Sequence, residues 1–267
     1  MFITRLLSGI LLVILALFFC ISGGDLLFVL CLALSLAALF ELQRVLKLDQ
    51  TLFAGLNYAS VLVYYALLRL GLGSYLMGWA ALTLILLMSI YVFTFPKYTE
   101  RPVCESLLAV FYTGVLMSYL YQVRVMPEGR YLVWLIFLSS WGCDTCAYCA
   151  GRLFGRHKMA PVLSPKKTVE GAIGGVLGAA ILGGIYAAVF GSHMTEVSSP
   201  VPVCVIACAA AGLISMVGDL AASGIKRNHE VKDYSHLIPG HGGILDRFDS
   251  MLFTAPVIYL AVLILAH

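Results

Sequence analysis

The sequence is poor in charge. Only 12% of its 267 residues are Asp, Glu, Lys or Arg, about half the share that a soluble domain carries to keep its surface wet. A water-soluble globular domain is excluded, and with 61% apolar residues the solvent for most of the chain is lipid. The Lys and Arg are scattered and leave a net charge of only +3. Without a basic tract, nucleic acid is not an expected partner, whereas membrane lipids are. No repeat of fixed period, low-complexity segment or soluble appendage breaks the pattern.

A disulfide framework is also missing. Cys20, Cys31, Cys104, Cys143, Cys146, Cys149, Cys204 and Cys208 all lie in or beside apolar runs and read as reduced. Cys143, Cys146 and Cys149 have the spacing of iron–sulfur ligands. No fourth cysteine followed by proline accompanies them, and three-residue steps on a helix make one packed stripe. The first apolar run, from Arg5 to Ser22, has no convincing small-x-small cleavage site and reads as a retained span, not a signal peptide.

Apolar runs of membrane-crossing length are what the chain has in quantity. A hydrocarbon core about 30 Å thick needs about 20 residues of helix. Nine segments qualify: 4–22, 25–41, 52–70, 75–95, 103–122, 131–150, 170–190, 200–220 and 250–266. The expected fold is an all-α integral membrane protein of nine transmembrane helices, with N-terminal spans in 1–130 and a catalytic region in 131–267. With the N-terminus inside, only Arg69, Arg124 and Arg130 fall outside, and the other fourteen of the 17 cations lie within. The positive-inside rule then puts the N-terminus and both long polar loops, Gly151–Val169 and Ala221–Asp249, in the cytoplasm, with the C-terminus outside. The glycines Gly171, Gly174, Gly175 and Gly178 read as close helix packing.

Those two loops carry the chemistry. The second follows Asp219 and gathers the cations Lys226, Arg227, Lys232 and Arg247, the carboxylates Asp246 and Asp249, Ser223, His241 and the pair Gly242-Gly243. Carboxylates suit Mg²⁺, cations suit phosphate, and glycines let backbone approach a ligand closely. A cap needs one carboxylate and a membrane anchor needs no Gly-Gly, so the density points to a metal-assisted phosphate site. Asp219 and Asp144 stand at membrane depth, where an unpaired charge is expensive and marks a functional site. The first loop adds Ser164, Lys166, Lys167 and Thr168 at a helix start, a phosphate-holding combination.

At these residues the chain closely resembles the phosphatidate cytidylyltransferase (CDP-diacylglycerol synthase) family. The signature runs through Ser223, Ile225, Lys226, Arg227, Lys232, Asp233, Ser235, Ile238, Pro239, His241, Gly242, Gly243, Asp246, Arg247, Phe248 and Asp249. Segments around Asp144-Thr145, Ser164–Gly171 and Gly218-Asp219 also look like family motifs, and the N-terminal half resembles the family only as a set of spans. The resemblance implies transfer of CMP from CTP to phosphatidic acid for phospholipid synthesis, in the inner membrane of a bacterium, with Mg²⁺ and room for a second cation. It implies a metal on Asp219 and Asp246 with Asp144 or Asp249. The phosphates would lie among Ser164, Lys166, Lys167, Thr168, Ser223, Lys226, Arg227, Lys232, Gly242, Gly243 and Arg247. His241 would orient a reactant or donate a hydrogen bond, and a homodimer is compatible. Two rivals stand beside this reading: a CTP-dependent lipid kinase or related membrane transferase, and a secondary transporter built around Asp144 and Asp219.

Overall fold

A chain crossing a bilayer has to satisfy its own backbone hydrogen bonds, and a helix does so within one segment. The computed structural model describes residues 2–238 and 242–265. Among them are nine continuous helical runs: α1 (Phe2–Ser22), α2 (Gly24–Val45), α3 (Leu52–Arg69), α4 (Leu76–Thr94), α5 and α6 (Arg101–Ala109 and Leu116–Val125), α7 and α8 (Gly129–Phe137 and Cys143–Phe154), α9 (Val169–Phe190), α10 (Pro200–Asn228) and α11 (Leu245–Leu265). Short π-helical turns, Val110–Val115 and Leu138–Gly142, fuse α5 to α6 and α7 to α8. Among the described residues eight runs are long and apolar enough to cross a membrane, against nine expected spans; α1 is apolar over the shorter stretch Gly9–Ser22.

The boundaries differ from the sequence reading where charge enters a helix. The second span does not stop at residue 41: α2 continues to Val45 and keeps Glu41 buried, 2% exposed. The eighth runs on to Asn228, and the ninth begins at Leu245 instead of 250. Charged residues end a hydropathy window but not a helix whose charged face has partners. Asp219, Ser223 and Lys226 share one face of α10 at helical spacing. Ser223, Lys226 and Arg227 therefore stand on a helix, and the second polar loop shrinks to 229–244. The first polar loop holds a small antiparallel hairpin, β1 (Lys158–Ala160) with β2 (Ser164–Thr168).

Lipid tails are as apolar as leucine, so helices in a bilayer associate through close packing and buried hydrogen bonds. The α9 glycines lie against α8. A methyl built on Gly175 would stand 2.9 Å from Ala147 Cβ, and one on Gly178 would collide with Cys146. Toward the N-terminus, side-chain hydroxyls pair between helices: Ser35 with Tyr65 at 2.7 Å, Ser60 with Thr83 at 2.8 Å and Tyr64 with Ser118 at 2.9 Å. Each such bond contributes roughly 0.6 kcal/mol in a membrane. Arg124 of α6 holds the end of α1, its Nε donating to the Cys20 carbonyl at 2.8 Å. One buried cluster extends from Cys20 to Val262, so helices on both sides of residue 130 share it. All eight cysteines are free.

Candidate active site

Elements from across the chain converge at the end of the bundle where α8, α10 and α2 finish. α8 starts directly after a π turn, a feature frequent at functional sites, and aligns Asp144, Tyr148 and Arg152 on one face at four-residue steps. The hairpin brings Ser164, Lys166 and Lys167 over that face. Thr168 caps α9, its Oγ1 accepting from the Gly171 amide at 3.1 Å. The base of the hairpin is closed by Glu170, which accepts from the Arg156 amide at 3.0 Å.

Gly218 of α10 lies against Asp249 of α11: a methyl on Gly218 would stand 2.8 Å from the Asp249 carbonyl. Asp219 is therefore level with Asp249, and Asp246 lies nearly a turn nearer the start of α11. Asp246 is 8% exposed, and both of its oxygens are engaged. Oδ1 accepts from Lys226 Nζ at 2.7 Å, and Oδ2 accepts from the amides of Tyr234 and Gly243 at 2.8 and 2.9 Å. Lys167 Nζ pairs with Asp219 Oδ2. That ammonium is buried and makes no aligned hydrogen bond. Among the described residues Asp144 and Asp249 have no cationic partner within salt-bridge distance, and both lie within the electrostatic reach of Asp219. Burial pushes the Tyr234 hydroxyl above its ordinary range, so it stays a neutral donor, bonded to the Ala222 carbonyl at 3.1 Å.

Two cavities open onto these carboxylates. One, about 450 Å³, is cationic, with Arg152, Ser164, Lys166, Lys167 and Thr168 in its lining beside Asp144 and Asp219. The other, about 440 Å³, has apolar walls from α1 and α2, including Leu12, Leu15, Leu27 and Leu30, and meets Asp144, Asp246, Arg247 and Asp249. Asp144 lies on both. The site residues expected from sequence are thus split. Asp144, Asp219, Asp246, Asp249, Ser164, Lys166, Lys167, Thr168 and Arg247 line one cavity or the other, whereas Ser223, Lys226, Arg227, Lys232, Gly242 and Gly243 line neither. His241 lies outside the described residues. No three His, Cys, Asp or Glu side chains converge into a ready-made metal shell among the described residues, and the lysines resting on Asp219 and Asp246 account for part of this.

Three participants escaped the sequence reading. Tyr148 and Arg152 were detectable, because they repeat Asp144 at helical spacing. Glu41 was not: it sits on a different helix, some 200 positions before the loop it contacts, accepting from Ser235 Oγ and from the amides of Ile244 and Leu245.

A cationic cavity and an apolar one that meet at Asp144, at the end of a membrane bundle, suit a membrane-embedded enzyme that works on a phosphate-rich soluble molecule and a lipid. A family model described as "Cytidylyltransferase family" matches residues 3–265. The phosphatidate cytidylyltransferase of Staphylococcus epidermidis is 33% identical over 259 residues, covering 95% of this chain and 96% of its own. That of Bacillus subtilis is 32% identical over 263 residues, 96% of this chain and 95% of its own. That of Staphylococcus saprophyticus is 36% identical over 173 residues. The chain belongs to the cytidylyltransferase family.

Proposed function

We propose that the chain transfers a cytidylyl group from CTP to phosphatidate, forming CDP-diacylglycerol and pyrophosphate. The observation that carries this reading is the meeting of the cationic and apolar cavities at Asp144. In the cationic cavity, Lys166, Lys167 and Arg152 take the triphosphate. Acyl chains lie along the leucines of α1 and α2, and Arg247 takes the lipid phosphate. A lipid phosphate oxygen attacks the α-phosphorus of CTP, the bond from that phosphorus to the bridging oxygen breaks, and pyrophosphate leaves with the electron pair. The attacking phosphate is already ionised, so no general base is required.

The carboxylates fit a divalent cation by charge. Direct ion pairs from Lys167 and Lys226 reach only Asp219 and Asp246 of the four carboxylates, which leaves Asp144 and Asp249 without a paired cation among the described residues. Asp144, Asp219 and Asp249 are the residues we assign to Mg²⁺. Asp249 takes the place that sequence reasoning gave to Asp246, because Asp249 is the residue level with Asp219 and Asp246 is saturated by Lys226 and two amides. When bound, Mg²⁺ neutralises the triphosphate and the departing pyrophosphate. Both polar loops face the cytoplasm, where CTP is found.

The test is purified protein in detergent with phosphatidic acid, Mg²⁺ and CTP labelled on the α-phosphate. Label in the lipid product supports the assignment. Label entering lipid only from γ-labelled CTP would establish the lipid kinase in its place, and no labelled lipid from either nucleotide would remove both.

A further inference from the structure

Glu41 is a buried carboxylate that the transfer reaction leaves unused. It sits near the end of α2, 2% exposed, and no Lys or Arg pairs with it among the described residues. Burying such a charge is costly unless hydrogen bonds compensate it. Among the described residues its three hydrogen bonds come from the segment that leads into α11 and from that helix's first residue: Ser235 Oγ at 2.5 Å and the amides of Ile244 and Leu245 at 2.9 Å each. The amides belong to the start of α11, where the helix dipole favours a negative charge.

The pair Gly242-Gly243 lies between this carboxylate and another. A methyl on Gly243 would stand 2.6 Å from either oxygen of Glu41. One on Gly242, whose φ of +83° already favours glycine, would stand 2.9 Å from Asp246 Oδ2. Gly243 also donates its amide to that same Asp246 oxygen. The turn is gripped on one face by a carboxylate of the catalytic cluster and on the other by a carboxylate of the second membrane helix. An ordinary helix cap would need only the two amides, whereas the bond to Ser235 ties the opposite limb of the loop to the same group.

We infer that Glu41 is a positioning residue for the transfer reaction. By clamping the Gly242-Gly243 turn it sets where α11 starts, and with that where Asp246, Arg247 and Asp249 stand. This rests on the proposed cytidylyl transfer and assigns the N-terminal half a part in it.

The experiment is Glu41→Gln in the full chain in detergent, a change that keeps size but turns an amide NH₂ toward backbone N–H groups. Hydrogen exchange at the Ile244 and Leu245 amides should quicken about 10-fold or more. Turnover should fall about 10- to 100-fold, with the KM for CTP within about 3-fold of the unaltered protein, the scale of a lost orienting contact. Glu41→Asp, which keeps the charge but withdraws it by about 1.5 Å, should move both readouts the same way by less, and it carries the test if the Gln variant does not fold. Faster exchange with unchanged turnover would reduce Glu41 to a structural cap, and lost turnover with unchanged exchange would overturn the clamp. Failure of the unaltered protein to make CDP-lipid would strike the functional reading instead, and the exchange measurement would still read the clamp separately.

Discussion

Replacing Asp249 by Asn removes one of the two carboxylate charges that the lysines leave uncompensated. At an effective dielectric near 20, a unit charge about 4 Å from a divalent ion is worth about 8 kcal/mol, twice the figure for two unit charges. Most of that is not lost. The Asn carbonyl still offers an oxygen, and Asp144 is exposed to the cavities, where water screens the remainder. A net loss of about 3 kcal/mol corresponds to about a 10²-fold rise in the Mg²⁺ needed for half-maximal activity. The assay is initial rate with α-labelled CTP across a Mg²⁺ series at fixed free CTP, paired with Mn²⁺ titration by electron paramagnetic resonance in the absence of substrate. Asp246→Asn is the comparison. Its carboxylate is taken by Lys226, Tyr234 and Gly243, so it should lower the maximal rate while leaving the Mg²⁺ midpoint within about 3-fold, as expected for a group that orients others. An unchanged midpoint in Asp249→Asn, or an equal shift in Asp246→Asn, would refute the charge argument and return the metal to the Asp219 and Asp246 pair.

Lys167→Gln should cut kcat/KM by about 10²-fold or more, and Lys166→Gln by less, because Lys167 is paired with Asp219 and Lys166 is exposed; equal effects in steady-state kinetics would count against the difference. Gly243→Ala should destabilise the protein by about 1–3 kcal/mol through crowding of Glu41, read as a fall in the thermal midpoint in detergent, and an unshifted midpoint would contradict the clamp geometry. Single cysteines at Lys158 and Asn228, in a chain whose native cysteines have been replaced, should resist a membrane-impermeant thiol reagent in intact cells. Labelling of both from outside would invert the proposed orientation.

The proposed placement of the reactants follows from their charge. CTP and phosphatidate are both anionic and repel one another, one is soluble in water and the other is held by its acyl chains. A single pocket would have to be both wet and apolar. In the proposed arrangement two cavities that meet at Asp144 separate these demands, since each reactant would keep its own solvent and meet the other where a cation can screen them. Arg247 lines the apolar cavity and Lys166 and Lys167 the cationic one, so the proposed placement gives each reactant a cation.

The spans were legible because hydropathy is a local quantity: all nine predicted segments have their helices, and the small-residue steps of α9 do pack against α8. What hydropathy misreads is a charge that the fold has already compensated. Glu41 ended the predicted second span, and Lys226, Arg227, Asp246, Arg247 and Asp249 were assigned to a loop, yet these side chains sit on continuing helices, where Glu41, Lys226 and Asp246 find partners from other elements. The glycine pair shows the same limit. From sequence, Gly242 and Gly243 are places where backbone can approach a phosphate, and their small size is equally consistent with a carboxylate packed against each face. Choosing between these requires knowing that α2 ends beside α11, a contact spanning some 200 residues that no local pattern encodes. The residue types of a chemical site are therefore readable when they cluster in sequence, while the groups that hold them in place become readable only once the helices are packed.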